Sequence, residues 1–370
     1  MSDRHDAMMA FLRDAGWADA EVHALPGDAS TRRYFRVASK GRHAMLMDQP
    51  QHAETPSAPA DASPEERHAL GYNAVARLAG ADCGRFVAVS EYLRGRGLSA
   101  PQIYAADCEN GFVLLEDFGD RLYADILAGG GNERELYAAA VEALATLHTH
   151  PAPAQISPQV SLYPYDETAM LAETGLLTEW YLPLVLGRKA TAEETAEHRA
   201  LWQKLLSDAN EAAPAFVHRD YHAQNLLWLP DRSGIARVGL IDFQDAVAGS
   251  KAYDLVSLLE DARRDVEPEL AEATLAHYLA AMREQGMAVD EARFRSVFAV
   301  MAAQRNAKIA GIFARLQVRD GKPRYLGYLP RVWGYLRHDL EHPSLAPLKN
   351  WYERVLPQSA REGRIAGVAA

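Results

Sequence analysis

The chain has almost no cysteine. Cys83 and Cys108 are the only two in 370 residues, too few for a disulfide framework or a structural zinc site, and a sparsity that suits a reducing cytoplasm. Long apolar runs are missing as well. No stretch approaches the ~20 apolar residues that a membrane helix needs, and the opening residues carry no apolar core of the signal-peptide kind. A soluble cytoplasmic protein is expected. Positive charge is in deficit: 39 Lys and Arg against 50 Asp and Glu give a formal net charge of −11. This argues against nucleic acid or an anionic membrane as partner, since both need a basic footprint. No internal repeat is present. Apolar material is ample, 48% of residues, in a chain too long for one small domain, so two lobes or two domains are expected.

Residues 216–245 organise the rest. A short apolar run ending at Val217 reads as a strand that delivers His218, Arg219 and Asp220 into a loop; Asn225 follows, and residues 226–229 resume an extended run. Residues 230–234 turn the chain, and a returning strand, 236–241, presents Asp242 at its end. Transfer of a γ-phosphoryl group asks a protein mainly for charge neutralisation and alignment: hard oxygen ligands for magnesium and a carboxylate beside the acceptor hydroxyl. Asp220 suits the second task, receiving the hydroxyl proton. Asn225 and Asp242 suit the first. A His-x-Asp pair in a polar loop is common, but the added Asn and the second strand ending in Ile-Asp narrow the reading. Beyond Asp242 the chain enters an apolar-periodic helix near Tyr253 almost at once. That leaves no platform for a polypeptide, so a small acceptor is expected; for Asp254, at the helix start, bracing the loop is preferred over helping to bind the metal.

The order, spacing and flanking strands of Asp220, Asn225 and Asp242 resemble the protein-kinase-like fold in its aminoglycoside-phosphotransferase and choline-kinase branch. The resemblance implies an α+β, two-lobed chain that uses ATP and Mg2+. A small antiparallel β-sheet N-lobe, residues 1–117, would cover the nucleotide and carry an insertion at about 51–85. A mainly helical C-lobe, 118–370, would hold the catalytic and acceptor groups. Ser30, Thr31, Arg32 and Arg33, in a small-residue turn before an alternating run, would cover the phosphates, although ordinary hairpin turns share that composition. Residues 101–107 and 111–120 read as two strands joined by a turn. The main chain around Glu116 and Phe118 would read the adenine edge, while a plain buried strand explains residues 112–115 equally. One departure from the family is plain: the strand 43–48 lacks the lysine carried there for the α- and β-phosphates. Either Arg32 or Arg33 supplies that cation, or metal and backbone suffice. The gap also leaves open a nucleotide-binding pseudokinase, and leaves Glu91, on a helix over 86–93, without its usual partner.

Two segments bear on the acceptor. Residues 165–186 combine Glu173, Glu179, Trp180 and Tyr181, a mixture of rings and carboxylates suited to a sugar and shared with any amphipathic helix. From Gln304, Arg305, Asn306 and Lys308 to Arg337 the chain is basic and nearly free of acids. A solvated face is the default, yet Arg305 and Lys308, one helical turn apart, would suit an anionic substrate group or the nucleotide phosphates. Such a tract counts against a polycationic aminoglycoside. Together, residues 28–36, 115–121, 218–222 and 304–308 resemble the bacterial amino-sugar anomeric kinases of cell-wall recycling, which act on N-acetylmuramate and N-acetylglucosamine. That likeness implies an α-1-phosphate product in peptidoglycan recycling and a monomer whose Glu179, Trp180, His222, Arg305 and Lys308 bind the sugar. An aminoglycoside or a choline-like alcohol remains the alternative acceptor.

Overall fold

Alternating side chains along residues 33–48 form a hairpin closed by Lys40 and Gly41, both at positive φ, 51° and 76°, as a tight two-residue turn requires. The computed structural model describes residues 2–26, 32–50, 59, 61–79, 82–211 and 213–365. Ser30, Thr31 and most of the proline-broken stretch 51–64 lie outside the described residues. Contacts divide the chain into two compact units. The first is Met1–Ala143 with Pro153–Tyr163 and Ala223–Ala246; the second is Leu144–Ala152 with Pro164–His222 and Val247–Ala370.

In the first unit the hairpin belongs to an antiparallel sheet of Glu21–Ala24 (β1), Arg33–Ser39 (β2), Arg42–Asp48 (β3), Ile103–Asp107 (β4) and Phe112–Leu115 (β5), in the order β1-β2-β3-β5-β4. All of β5 is buried, consistent with its unbroken apolar sequence. Helix α1 (Ser2–Asp14) turns Met8, Phe11 and Leu12 onto one face, where they pack with Trp17, Val37, Leu46 and Phe112. Helix α2 (Pro64–Leu70) has Pro64 in its first turn and a reciprocal Ser63–Glu66 capping box. Helix α3 (Cys83–Gly95) begins earlier than expected because the Asp82 side chain caps it, accepting from Gly84 N–H at 2.8 Å. Cys83 and Cys108 are both free thiols.

The second unit is built on the thirty-residue helix Glu291–Asp320, against which the helices Glu167–Leu176, Ala252–Leu259 and Leu329–Asp339 pack. Asp290 caps its start, and Gly321, at φ 63°, ends it in the left-handed conformation. No helix among the described residues is long and apolar enough to cross a membrane. This helix passes close to another at Gly311, where a Cβ would stand 2.5 Å from the backbone carbon of Leu176 and 2.7 Å from the Leu177 nitrogen. Backbone cannot yield as a flexible side chain can. Gly311→Ala is therefore expected to lose about 1–3 kcal/mol, read as a lower denaturant midpoint; an unchanged midpoint would contradict this crossing.

Candidate active site

Strand Ala215–Val217, wholly buried, pairs with Val247–Gly249 and releases the chain into the loop that carries Asp220. The loop is held from below by Asp254, fully buried in the helix Ala252–Leu259. Its two carboxylate oxygens accept the backbone N–H groups of His218, at 2.6 Å, and Arg219, at 2.9 Å. Burial pushes the Asp254 carboxyl up to about 7, opposed by those two amides. Arg219 has φ 76°, a left-handed conformation that costs a non-glycine residue about 1–2 kcal/mol. Its side chain offsets that strain, donating to Glu173 Oε1 at 2.6 Å and lying over the Tyr165 ring.

Glu173 is the centre of a buried charge cluster. Besides Arg219 it accepts from Gln304 at 3.0 Å and from the Tyr165 hydroxyl, and Lys308 Nζ stands 3.2 Å away. Lys308 also donates to the Tyr253 hydroxyl at 3.0 Å. Burial raises the Glu173 carboxyl, but Lys308 and Arg219 outweigh it and the net shift is downward. Asp220 is half-buried beside this cluster. Burial pushes it up, while His222, Lys308, Arg305 and Arg219 pull harder and bring it down to about 2. His222 is driven down to about 4, chiefly by burial, and is neutral at pH 7.

The first unit carries Asn225 and Asp242. Strands Leu226–Trp228 and Val238–Leu240 pair, and the ladder extends one step, Ile241 N–H donating to Asn225 O at 3.1 Å. This sets Asn225 across from the residue before Asp242. The returning strand is shorter than expected because Gly234–Arg237 forms a 3₁₀ turn that takes up Ala236. Asp242 has φ 61°, and its Oδ1 accepts from Arg32 at 2.9 Å and from Gln244 at 3.0 Å. Neither bond uses Oδ2, and the side chain keeps 40% of its area exposed. One carboxylate and one amide at neighbouring strand ends are a fitting donor set for Mg2+, which retains waters and phosphate oxygens for its other positions.

The two arginines that compete for the missing lysine's role have different surroundings. Arg32 is buried and faces Asp242 and Gln244, the latter at 2.6 Å. Arg33 is drawn to buried Asp48 at 2.6 Å, a site it shares with Arg4. Glu91 is exposed. In its place α3 offers Arg85, whose guanidinium donates to the backbone carbonyls of Gln244 at 2.8 Å and Ala246 at 2.5 Å, clamping the segment after Asp242. At the expected hinge the Glu116 amide is used, donating to Gln102 O at 2.8 Å, and its carboxylate meets Arg232. Arg232 also lies over the Phe118 ring. Asp117 and Asp120 both grip Arg36, each at 2.7 Å. The acids of this segment thus have structural partners.

The acceptor candidates separate. Lys308 and His222 lie with Asp220, as does Arg305, whose Nη1 also donates to Glu260 O at 3.4 Å. Glu179, exposed, and Trp180, half-buried, fall on the π-helical turn Leu177–Tyr181; it is Glu173, earlier in the same segment, that meets Lys308. The basic tract is not a solvated face at its start. Its acids come from distant positions, Glu173 for Lys308 and Asp265 for Arg331.

Residues 21–289 match the phosphotransferase enzyme family. The chain belongs to that family. This phosphotransferase is 44% identical over 363 residues to the N-acetylmuramate/N-acetylglucosamine kinase of Caulobacter vibrioides, covering 97% of this chain and 99% of that one. It is 34% identical to the protein of the same name from Pseudomonas aeruginosa, over 93% of this chain and 92% of that one. A choline kinase from Cryptosporidium parvum superposes with a TM-score of 0.56 at 14% identity, covering 94% of this chain and 99% of that one. That likeness shows the α+β protein-kinase-like fold expected from the motif.

Two features of the phosphotransferase escaped the sequence reading. Arg263, exposed, donates to His222 Nε2 at 3.3 Å, and Arg85 was unmarked because nothing in its own helix signals a distant carbonyl. The role of Asp254 was legible, and it is testable. Asp254→Asn replaces one acceptor oxygen with an NH2 group facing a backbone N–H. It should cost about 1–3 kcal/mol in denaturant unfolding; an unchanged stability would contradict the bracing role.

Proposed function

We propose that this chain is an ATP-dependent N-acetylmuramate/N-acetylglucosamine kinase that phosphorylates the anomeric hydroxyl of the sugar. The observation that carries the reading is the match, along nearly the whole chain, to relatives bearing that name. The site chemistry supports it. Asp220 is an ionised, half-buried carboxylate, the form needed to receive an alcohol proton. Held near 2, it is a weak base, so it orients the hydroxyl and takes the proton late, in keeping with a loose transition state that asks little of the nucleophile.

Asn225 and Asp242 would hold magnesium. When bound, ATP with its metal supplies the transferable phosphoryl group and neutralises part of its charge. Arg32 takes the place of the absent lysine, moving between Asp242 and phosphate oxygens, with Ser30, Thr31 and backbone amides completing the cover. Arg33, already held by Asp48, contributes structure. The carbonyl of Glu116 and the amide of Phe118 read the adenine. With Arg32 in that role, a pseudokinase reading loses its motive. The product would enter peptidoglycan recycling as the sugar α-1-phosphate.

The test is turnover. Protein, ATP and Mg2+ with a panel of N-acetylmuramate, N-acetylglucosamine, choline and an aminoglycoside, followed by phosphorus NMR, should give 1-phosphates of the two sugars; turnover of only the other acceptors would reject the proposal. Asp220→Asn should lower kcat about 100- to 10,000-fold. The pH profile carries a sign. Asp220 is depressed, so its ionised form persists until pH falls towards its folded value of about 2, and His222 is neutral above about 4. Neither group should produce an acid limb in kcat/KM between about pH 5 and 8; a limb lost on replacing His222 would contradict this.

A further inference from the structure

The cations near Asp220 are not equally available. Arg219 and Lys308 serve Glu173, and Arg305, only 5% exposed, donates to Glu260 O. Arg263 differs. It is exposed, and its guanidinium makes one hydrogen bond among the described residues, from Nη1 to His222 Nε2 at 3.3 Å. Its backbone is fixed by Asp261, whose Oδ1 accepts the Arg263 amide at 2.9 Å. A guanidinium can only donate, so Nε2 of neutral His222 must accept and the ring proton sits on Nδ1. That Nδ1 is buried and has no hydrogen-bond partner among the described residues. His222 is itself 5% exposed, and a buried unpaired N–H costs about 1–3 kcal/mol. The groups around the ring are Asp261, Arg263, Asp220 and Arg305. His222, which faces Asp220, thus joins that carboxylate to a set of spare, exposed guanidinium donors on Arg263. Such a set suits the paired oxygens of a carboxylate.

We propose that Arg263, positioned by His222, binds the lactyl carboxylate of N-acetylmuramate and sets the preference between this acid and neutral N-acetylglucosamine. The inference rests on the amino-sugar kinase reading. The two sugars differ by the lactyl ether, carried two ring carbons from the anomeric carbon. A group reading it therefore belongs next to, and not at, the residue that handles the anomeric hydroxyl. N-acetylglucosamine has a hydroxyl there and needs no cation, so Arg263 keeps its solvent contacts with that substrate. Arg305 and Lys308, the cations that the sequence favoured for an anionic group, have carbonyl and carboxylate partners already.

The experiment is steady-state kinetics of wild type, Arg263→Gln and Arg263→Lys with N-acetylmuramate, its methyl ester and N-acetylglucosamine. In Arg263→Gln the ratio of kcat/KM for the acid to that for the neutral sugar should fall about 10- to 100-fold, mainly through KM. The lysine variant should recover part of it, and the ester-to-neutral ratio should not move. An acid-to-neutral ratio within about twofold of wild type, or an equal fall for all three sugars, overturns the inference. Wild type that phosphorylates neither sugar overturns the kinase reading, and this inference with it.

Discussion

Half-buried Asp220 stands beside the buried pairing of Glu173 with Arg219 and Lys308. Lys308, Arg305 and Arg219 favour the ionised form of Asp220, and a carboxylate held below its unfolded value adds stability at neutral pH. The ionisation of the proposed catalytic carboxylate is therefore tied to folding. The cluster draws on three stretches far apart in sequence: the helix Glu167–Leu176, the loop after Val217, and the helix Glu291–Asp320. Their mutual packing, tight at Gly311 against Leu176 and Leu177, sets how closely the charges meet.

Arginine does comparable work in the first unit. Arg32 meets the Asp242 side chain, and Arg85 holds the carbonyls that follow it; Arg36 and Arg232 neutralise the acids at the end of β5. An acidic chain thus keeps many of its cations inside, each on a designated partner. The planar guanidinium suits this use, because it presents several donors in fixed directions and is less strongly hydrated than an ammonium group. In the proposed site the absent lysine would be a change of cation, and the positive φ of Asp242 would help to aim its carboxylate.

Much of this was legible because it is local. The strand-loop-strand pattern around Asp220 and the bracing by Asp254 both follow from neighbours in sequence. The basic tract misled because its neutralising acids are distant. Lys308 finds Glu173, and Arg331 finds Asp265, neither of which any local window contains. Glu179 and Glu173 looked alike in sequence. They differ by which side of one helical segment is buried. Arg263 lies in a segment without periodicity, and only its contact with His222 sets it apart.

The proposed chemistry turns on the charge state of Asp220. Carbon-13 labelling of aspartate carboxyls, with the Asp220 resonance assigned by its loss in an asparagine variant, would follow that group directly through an acid titration. A carboxylate still ionised at about pH 4 and titrating near 2 is the predicted result. A midpoint at or above the ordinary aspartate value, about 4, would mean that the cations do not hold it, and would contradict the account.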